Sequence, residues 1–267
     1  MRFYYFDTPP PTHARIDWEH PLARDIAFCV PFATSLGVDL VSGIKGTLQG
    51  SATINGQGFV AGTNAADYIS WPTSLGYSLF NNRAYPVTAS FGFTPNSSTG
   101  NNILGLIWGS VGGDQIVYIG KETSTLVAAI KGETTSYYSI WSAGSGVFSA
   151  GVKAHTSVAF KSKTSAIMMV NAKQYTPTAS PGNANQLGGD VSPTGILSCG
   201  YIKGGSAPLN GLMQYIYVHF RTLSTDEQIS LNLAPYQMFY TESPVFYSIP
   251  QNVSAKSLLL YYASIRK

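Results

Sequence analysis

"LNGLMQYIYVHFRTLSTDEQ", residues 209–228, begins as a period-two alternation and ends in a helix-start signal. Leu212, Ile216, Val218 and Phe220 alternate with Met213, Tyr215, Tyr217 and His219, which predicts a strand over 211–220. Gln214 is the exception on the apolar side, and His219 falls on the solvent or interface side. Ser224 followed by Glu227 forms a capping box, in which each side chain satisfies a backbone N–H of the other residue. Such a cap stabilises a helix start by roughly 1 kcal/mol. Asp226 and Glu227 also suit the positive end of the helix, which stops before Pro235. It is the one helix the pattern predicts, and it is short.

Outward from this stretch the chain repeats the same alternation. In VTASFGFTP (87–95), Val87, Ala89, Phe91 and Phe93 point one way and Thr88, Ser90 and Thr94 the other, the signature of a half-buried strand. Comparable runs stand at 103–108, 115–120, 126–130, 137–141, 156–160 and 166–170, separated by clusters such as PNSSTGNN, GSVGGD, KGETT and SAGSG. AIMMVNAKQY predicts a hairpin, with Asn171 at a position that needs a left-handed residue. Residues 176–195 form a long connection inside the domain. Short strands at this spacing indicate a sandwich or barrel.

Composition narrows the partners. Charged residues make up 11% of the 267, against roughly a quarter in average globular chains. The net charge of +3 is spread thinly, without a basic cluster, so nucleic acid is not an expected partner. No apolar stretch approaches the roughly 20 residues of a membrane-spanning helix. MRFYYFDTPPP lacks the continuous apolar core of a signal peptide, so synthesis in a cytoplasm is expected and the sequons at Asn96 and Asn252 carry no weight. Cys29 and Cys199, the only cysteines, are expected to be buried thiols, with a single bridge as the alternative.

Several segments together resemble the concanavalin A-like, laminin-G-like jelly-roll domains, of the kind found in tailed-bacteriophage virion structural proteins. Gly211, Met213, Ile216, Val218, Arg221, Leu223, Ser224 and Glu227 match that family's closing signature. RIDWEHPLARDIAFCVPF (15–32) resembles the opening strand, and VDLVSGIKGTLQGSA (38–52) the next segment. KAHTSVAFKSKTSAIMMVNAK (153–173) resembles the paired central strands, and APYQMFY (234–240) the tail after the helix. The resemblance implies an all-β, two-sheet antiparallel jelly-roll sandwich over 15–240. Outside it, an N-terminal extended arm (1–14) and a C-terminal docking tail (241–267), both rich in Tyr, Phe and Leu, are expected either to dock on a neighbouring chain or to fold back on their own domain. The family's paired acids fall at Gln214 and Tyr215 here, so calcium at that strand loses its carboxylates. No cofactor is expected, and no sequence feature supports calcium elsewhere.

Catalytic patterns are weak. Glycoside hydrolysis needs two carboxyls about 5–10 Å apart, and the nearest pair, Asp17 and Glu19 in RIDWEH, is expected to serve turn and strand-start hydrogen bonds. His13, His20, His155 and His219 show no metal-ligand spacing. GQGFVA (56–61) is a turn without the helix that a dinucleotide fingerprint requires. SYYSIW (136–141) places Tyr138 and Trp141 where aromatic faces can stack on a sugar, and Asp114 in the GSVGGDQ loop can hydrogen-bond hydroxyls. Asp114, Tyr138 and Trp141 are therefore the candidate carbohydrate-binding residues.

The expectation that follows is a non-enzymatic structural protein displayed in multiple copies on a tailed-phage virion, made in the host cytoplasm and held by other virion proteins. It would decorate the head or belong to a tail appendage or fibre. The alternative is a module that attaches the virion to host surface polysaccharide. A glycan hydrolase ranks last.

Overall fold

The structure is a computed structural model. It describes residues 2–60, 67–80, 86–96, 105–109, 115–122, 124–131, 138–162, 165–180, 196–200 and 211–242. Two eight-stranded antiparallel sheets stack face to face. The first runs Thr178–Ser180, Tyr138–Ser142, Thr125–Lys131, Gln115–Glu122, Gly105–Gly109, Ile196–Cys199, Ile69–Trp71, Thr47–Leu48. The second runs Lys173–Tyr175, Ser165–Val170, Ala154–Ser162, Val87–Pro95, Gly211–His219, Gly58–Val60, Thr53–Asn55, with Ile26–Pro31 also paired to Gly211–His219. This all-β sandwich is the architecture expected from the alternating runs.

The closing strand Gly211–His219 sits near the middle of the second sheet. Val87–Pro95 lies along one side of it, and Ile26–Pro31 and Gly58–Val60 share the other. Its alternation is not the simple one read from sequence. The register shifts between Met213 and Tyr215, so Gln214 is an extra residue in a bulge and the phase reverses there. Met213, Ile216 and Val218 therefore face one way, into the main core, while Tyr215 and Tyr217 face the other. Gln214 Nε2 donates to Thr94 Oγ1 at 2.9 Å.

Between the sheets, Phe28, Phe91, Phe93, Phe160 and Met168 pack against Ile69, Trp71, Ile119, Leu126 and Leu197. Trp71 meets Phe28 edge to face at 5.1 Å, and its indole N–H donates to Gly37 O at 3.1 Å. Asn171 (φ 49°) and Ala172 (φ 61°) close the hairpin of Ser165–Val170 and Lys173–Tyr175 with two left-handed residues. Cys29 and Cys199 are buried and free.

The outer face of the second sheet is covered too, which corrects the half-buried expectation for VTASFGFTP. Thr88, Ser90 and Ser157, on that face, are fully buried. Over them lies the helix Thr225–Leu233, with the predicted capping box in place. Ser157 Oγ donates to Gln228 Oε1 (2.8 Å), Gln228 Nε2 to Leu223 O (3.0 Å) and Thr88 Oγ1 to Arg221 O (2.8 Å). Thr88 and Ser157 keep the strands' alternation and still find partners once covered, whereas Ser90 Oγ has none among the described residues. Gly92 stands opposite Tyr215, and an added Cβ would lie 2.4 Å from its ring. Glycine is thus required for Tyr215 to lie across the neighbouring strand.

Two further helices, the single turn Phe32–Ser35 and Thr73–Phe80, were not anticipated. The longer buries Leu75, Leu79 and Phe80 at spacings of four and one. The N-terminal segment folds back on its own domain. Arg2–Tyr4 pairs with Phe239–Glu242, which pairs in turn with Arg15–Ile16, giving a three-stranded ribbon. The ribbon's inner side packs Ile16 and Phe239 onto Tyr215 and Tyr217. The strand at 239–242 extends two residues past the boundary drawn at 240; residues 243–267 lie outside the described residues.

One group breaks the pattern of apolar inward residues. Lys121 stands opposite Leu126, a core residue, and is buried, and its Nζ has no hydrogen-bond partner among the described residues. Burial holds its pKa below the ordinary lysine value. The unfolded chain then binds this proton more tightly than the folded one, so stability rises as pH climbs toward the ordinary lysine range. Lys121→Met is expected to stabilise the fold by about 1–3 kcal/mol and to abolish that rise. Denaturant unfolding at neutral and mildly alkaline pH measures both; an unchanged midpoint would contradict the assignment.

Candidate functional site

The chain turns sharply at Arg24 and Asp25, just before Ile26–Pro31. Asp25 adopts a left-handed backbone conformation (φ 57°), sparsely populated for a residue with a side chain. Three consecutive residues at the end of the closing strand hold that turn. His219 Nε2 donates to Leu22 O at 2.8 Å, Phe220 N to Asp25 O at 2.8 Å, and the Arg221 guanidinium reaches Pro21 O (2.9 Å) and Arg24 O (3.2 Å). Arg221 also pairs with Glu227 at 2.8 Å, which ties the turn to the capped helix. The fork geometry of arginine lets one side chain serve two carbonyls and a carboxylate together.

Beside the turn opens a cleft of about 450 Å³ lined by Asp25, Ile26, Ala27, Val41, Ser78, Leu79 and Phe220. Ile26 and Leu79 form an apolar floor continuous with buried cores. The Asp25 carboxylate is half-exposed and lies 3.6 Å from Arg24 Nε, so it offers acceptor oxygens at the rim. Ser78 supplies a hydroxyl whose proton goes to Leu75 O at 2.7 Å. An apolar floor with a few polar groups at the edge, in a volume of this size, fits a small hydroxylated ring.

His219 is completely buried here, a correction to its expected place on the solvent or interface side, because residues 21–23 form a turn of 3₁₀ helix over it. Its Nε2 carries the proton donated to Leu22 O, and its Nδ1 has no partner among the described residues. Burial lowers its pKa to about 4. His155, against the Tyr215 hydroxyl at 3.1 Å, is lowered to about 4 for the same reason. Tyr215 and Gln214, where the resembled family carries acids, are thus occupied by packing and internal hydrogen bonds.

Of the residues singled out from sequence, Tyr138 and Trp141 lie on the strand Tyr138–Ser142 in the other sheet. There Trp141 stands opposite Ala128 and Ala179, and Tyr138 opposite Lys131. Asp114 lies outside the described residues. Asp17 and Glu19 do the structural work expected of them. Asp17 accepts from the Tyr4 hydroxyl (2.6 Å), from Arg2 (3.3 Å) and from the Glu19 amide (3.3 Å). The Tyr4 hydrogen bond is the chief cause of a lowered Asp17 pKa. The cleft residues were not found from sequence. The signal available was Phe220 at the end of the predicted strand 211–220, next to Arg221 of the closing signature.

No protein-family model matches the sequence, and no curated protein does. Solved structures similar to it include Trypanosoma rangeli sialidase in complex with sialic acid, at 13% identity and a TM-score of 0.50, covering 73% of this chain and 30% of that one. Domain 4 of AbnA, a GH43 extracellular arabinanase from Geobacillus stearothermophilus, in complex with arabinotriose, is similar at 12% identity and a TM-score of 0.49, covering 78% of this chain and 98% of that one. The Ruminococcus gnavus IT-sialidase CBM40 bound to alpha2,3 sialyllactose follows at 12% identity and 0.46, covering 57% and 84%. The chain thus spans about 30% of the length of the sialidase it matches. At such identities the likeness is one of fold, a β-sandwich.

The buried imidazoles set the acid response. An unfolded histidine takes up its proton near pH 6.5, whereas these remain neutral in the fold down to about pH 4. Stability is therefore full above pH 6.5 and falls as the pH drops to 4, by about 3 kcal/mol for each imidazole. His219→Gln is expected to remove about half of that slope, read from thermal midpoints across the range. A slope identical to that of the parent chain would refute it.

Proposed function

We propose that this chain is a non-enzymatic glycan-binding module. The cleft beside Asp25 and Phe220 carries the reading: an apolar floor for a sugar ring's C–H face, with carboxylate and hydroxyl at its rim for the ring's hydroxyls. The fold is shared with a part, about 30%, of a sialidase. Of the carboxylates nearest to a hydrolytic pair, Asp17 is engaged by Arg2 and Tyr4 of the N-terminal strand, and the Glu19 carboxylate is exposed, 3.9 Å from Arg2.

The setting we propose is the surface of a tailed-phage particle, where the module would serve attachment to host polysaccharide alongside other virion proteins. That setting rests on the sequence motifs at 15–32, 38–52, 153–173 and 234–240. Affinity at one such cleft need not be high. Millimolar binding corresponds to about −4 kcal/mol, and many copies on one particle raise avidity by roughly 10²–10⁴.

Glycan arrays followed by calorimetry on the hits test the proposal. Phe220→Ala and Asp25→Ala are each expected to weaken binding at least about tenfold without releasing reducing sugar. Full binding by both variants, with loss in Asp114→Ala, Tyr138→Ala or Trp141→Ala, would move the site to the other sheet. Binding to no glycan would overturn the function, and release of reducing sugar would make the chain a hydrolase.

A further inference from the structure

Among the described residues, Arg2–Tyr4 is the open edge of the ribbon, and its side chains are exposed. Phe3 is 49% exposed, Tyr4 39% and nearby Phe6 61%. An uncovered strand edge carrying aromatic side chains is a ready template for another strand. The hydrogen-bond pattern fixes which groups it offers. The Tyr5 amide donates inward to Phe239 O at 3.2 Å. By the alternation of an antiparallel ladder, Phe3 also bonds inward, and the N–H and C=O of Arg2 and Tyr4 point away from the ribbon.

We infer that this edge pairs antiparallel with the same strand of a second copy of the chain, about a two-fold axis through Phe3. With Phe3 opposite its counterpart, Arg2 falls opposite the second copy's Tyr4, and Tyr4 opposite its Arg2. Those residues carry the outward N–H and C=O groups, so each of the two pairs exchanges two hydrogen bonds and the four edge groups are all satisfied. Phe3 meets Phe3 in the close, non-hydrogen-bonded position between them, where cross-strand aromatic contact is strongest.

The charges match as well. Arg2 lies over the Tyr240 ring at 4.6 Å and against Asp17 at 3.3 Å, and the Tyr4 hydroxyl bonds the same Asp17. Across the axis each guanidinium therefore approaches the ring and carboxylate of the opposite copy, so two cations and two anions alternate on one face. An edge of sequence Arg-Phe-Tyr is self-complementary in this register, as an isologous interface requires. The joined ribbons form one continuous six-stranded sheet.

Sedimentation of the full chain over a concentration series tests this independently of any glycan binding. The parent chain is expected to reach twice its 28.6 kDa mass as concentration rises. Phe3→Glu and Phe3→Lys are each expected to stay monomeric with unchanged circular dichroism, because like charges then face each other across the axis. An equimolar mixture of the two is expected to restore the dimer, since opposite charges now meet. Tyr4→Pro, which removes one outward N–H, should weaken the dimer while Tyr4→Phe retains it. A parent chain that stays monomeric at its highest soluble concentration would overturn the inference, as would a dimer that persists in both charge variants or a mixture that stays monomeric.

Discussion

One extra residue in one strand decides how this molecule is layered. Without the bulge at Gln214, Met213 would sit with Tyr215 and Tyr217 on the face away from the main core. Shifting a strand by a single residue exchanges its two faces, and the bulge makes that exchange once, part-way along. Its result is a central strand with aliphatic side chains toward one core and two stacked tyrosines, 4.5 Å apart, toward another. Every neighbour of the strand is then constrained. Gly92 must lack a side chain for Tyr215 to lie over it, and the helix Thr225–Leu233 and the ribbon must roof the phenol rings.

The two faces of that strand are stabilised differently. The inner core is apolar and rests on hydrophobic burial, roughly 25 cal/mol per Å² removed from water. The outer layer mixes rings with Thr88, Ser157, Gln228 and His219, whose burial is tolerable only because hydrogen bonds meet most of their polar atoms. The same hydrogen bonds position the cleft. Arg221 and His219 brace the turn that carries Asp25, so the cleft rim is part of the roof's attachment and not a separate loop.

The strands, the hairpin at Asn171 and the capping box at Ser224 were legible in the sequence because each depends on neighbours within a few residues. What escaped depends on distant ones. Thr88 and Ser90 look solvent-facing by alternation, and only the later helix makes them interior. His219 reads as exposed until residues 21–23 close over it. The cleft unites Asp25, Ser78 and Phe220 from three separate regions of the chain, which no local pattern joins. The helix Thr73–Phe80 has neither a capping box nor an acidic first turn to announce it, and follows a strand of only three residues. Gln214 appeared as an odd polar residue in an apolar row; that irregularity was the trace of the bulge.

The ribbon joins Arg2 to Glu242, almost the whole described length of the polypeptide apart. During synthesis the first strand must therefore wait, unpaired, until its partner leaves the ribosome. Until then the tyrosine face of the second sheet has no roof, and a nascent chain would expose it to chaperones or to other nascent copies. The segment 211–242 thus acts as a late latch on assembly. Truncated or stalled products would carry the apolar interior of a sandwich without the cover that keeps it soluble.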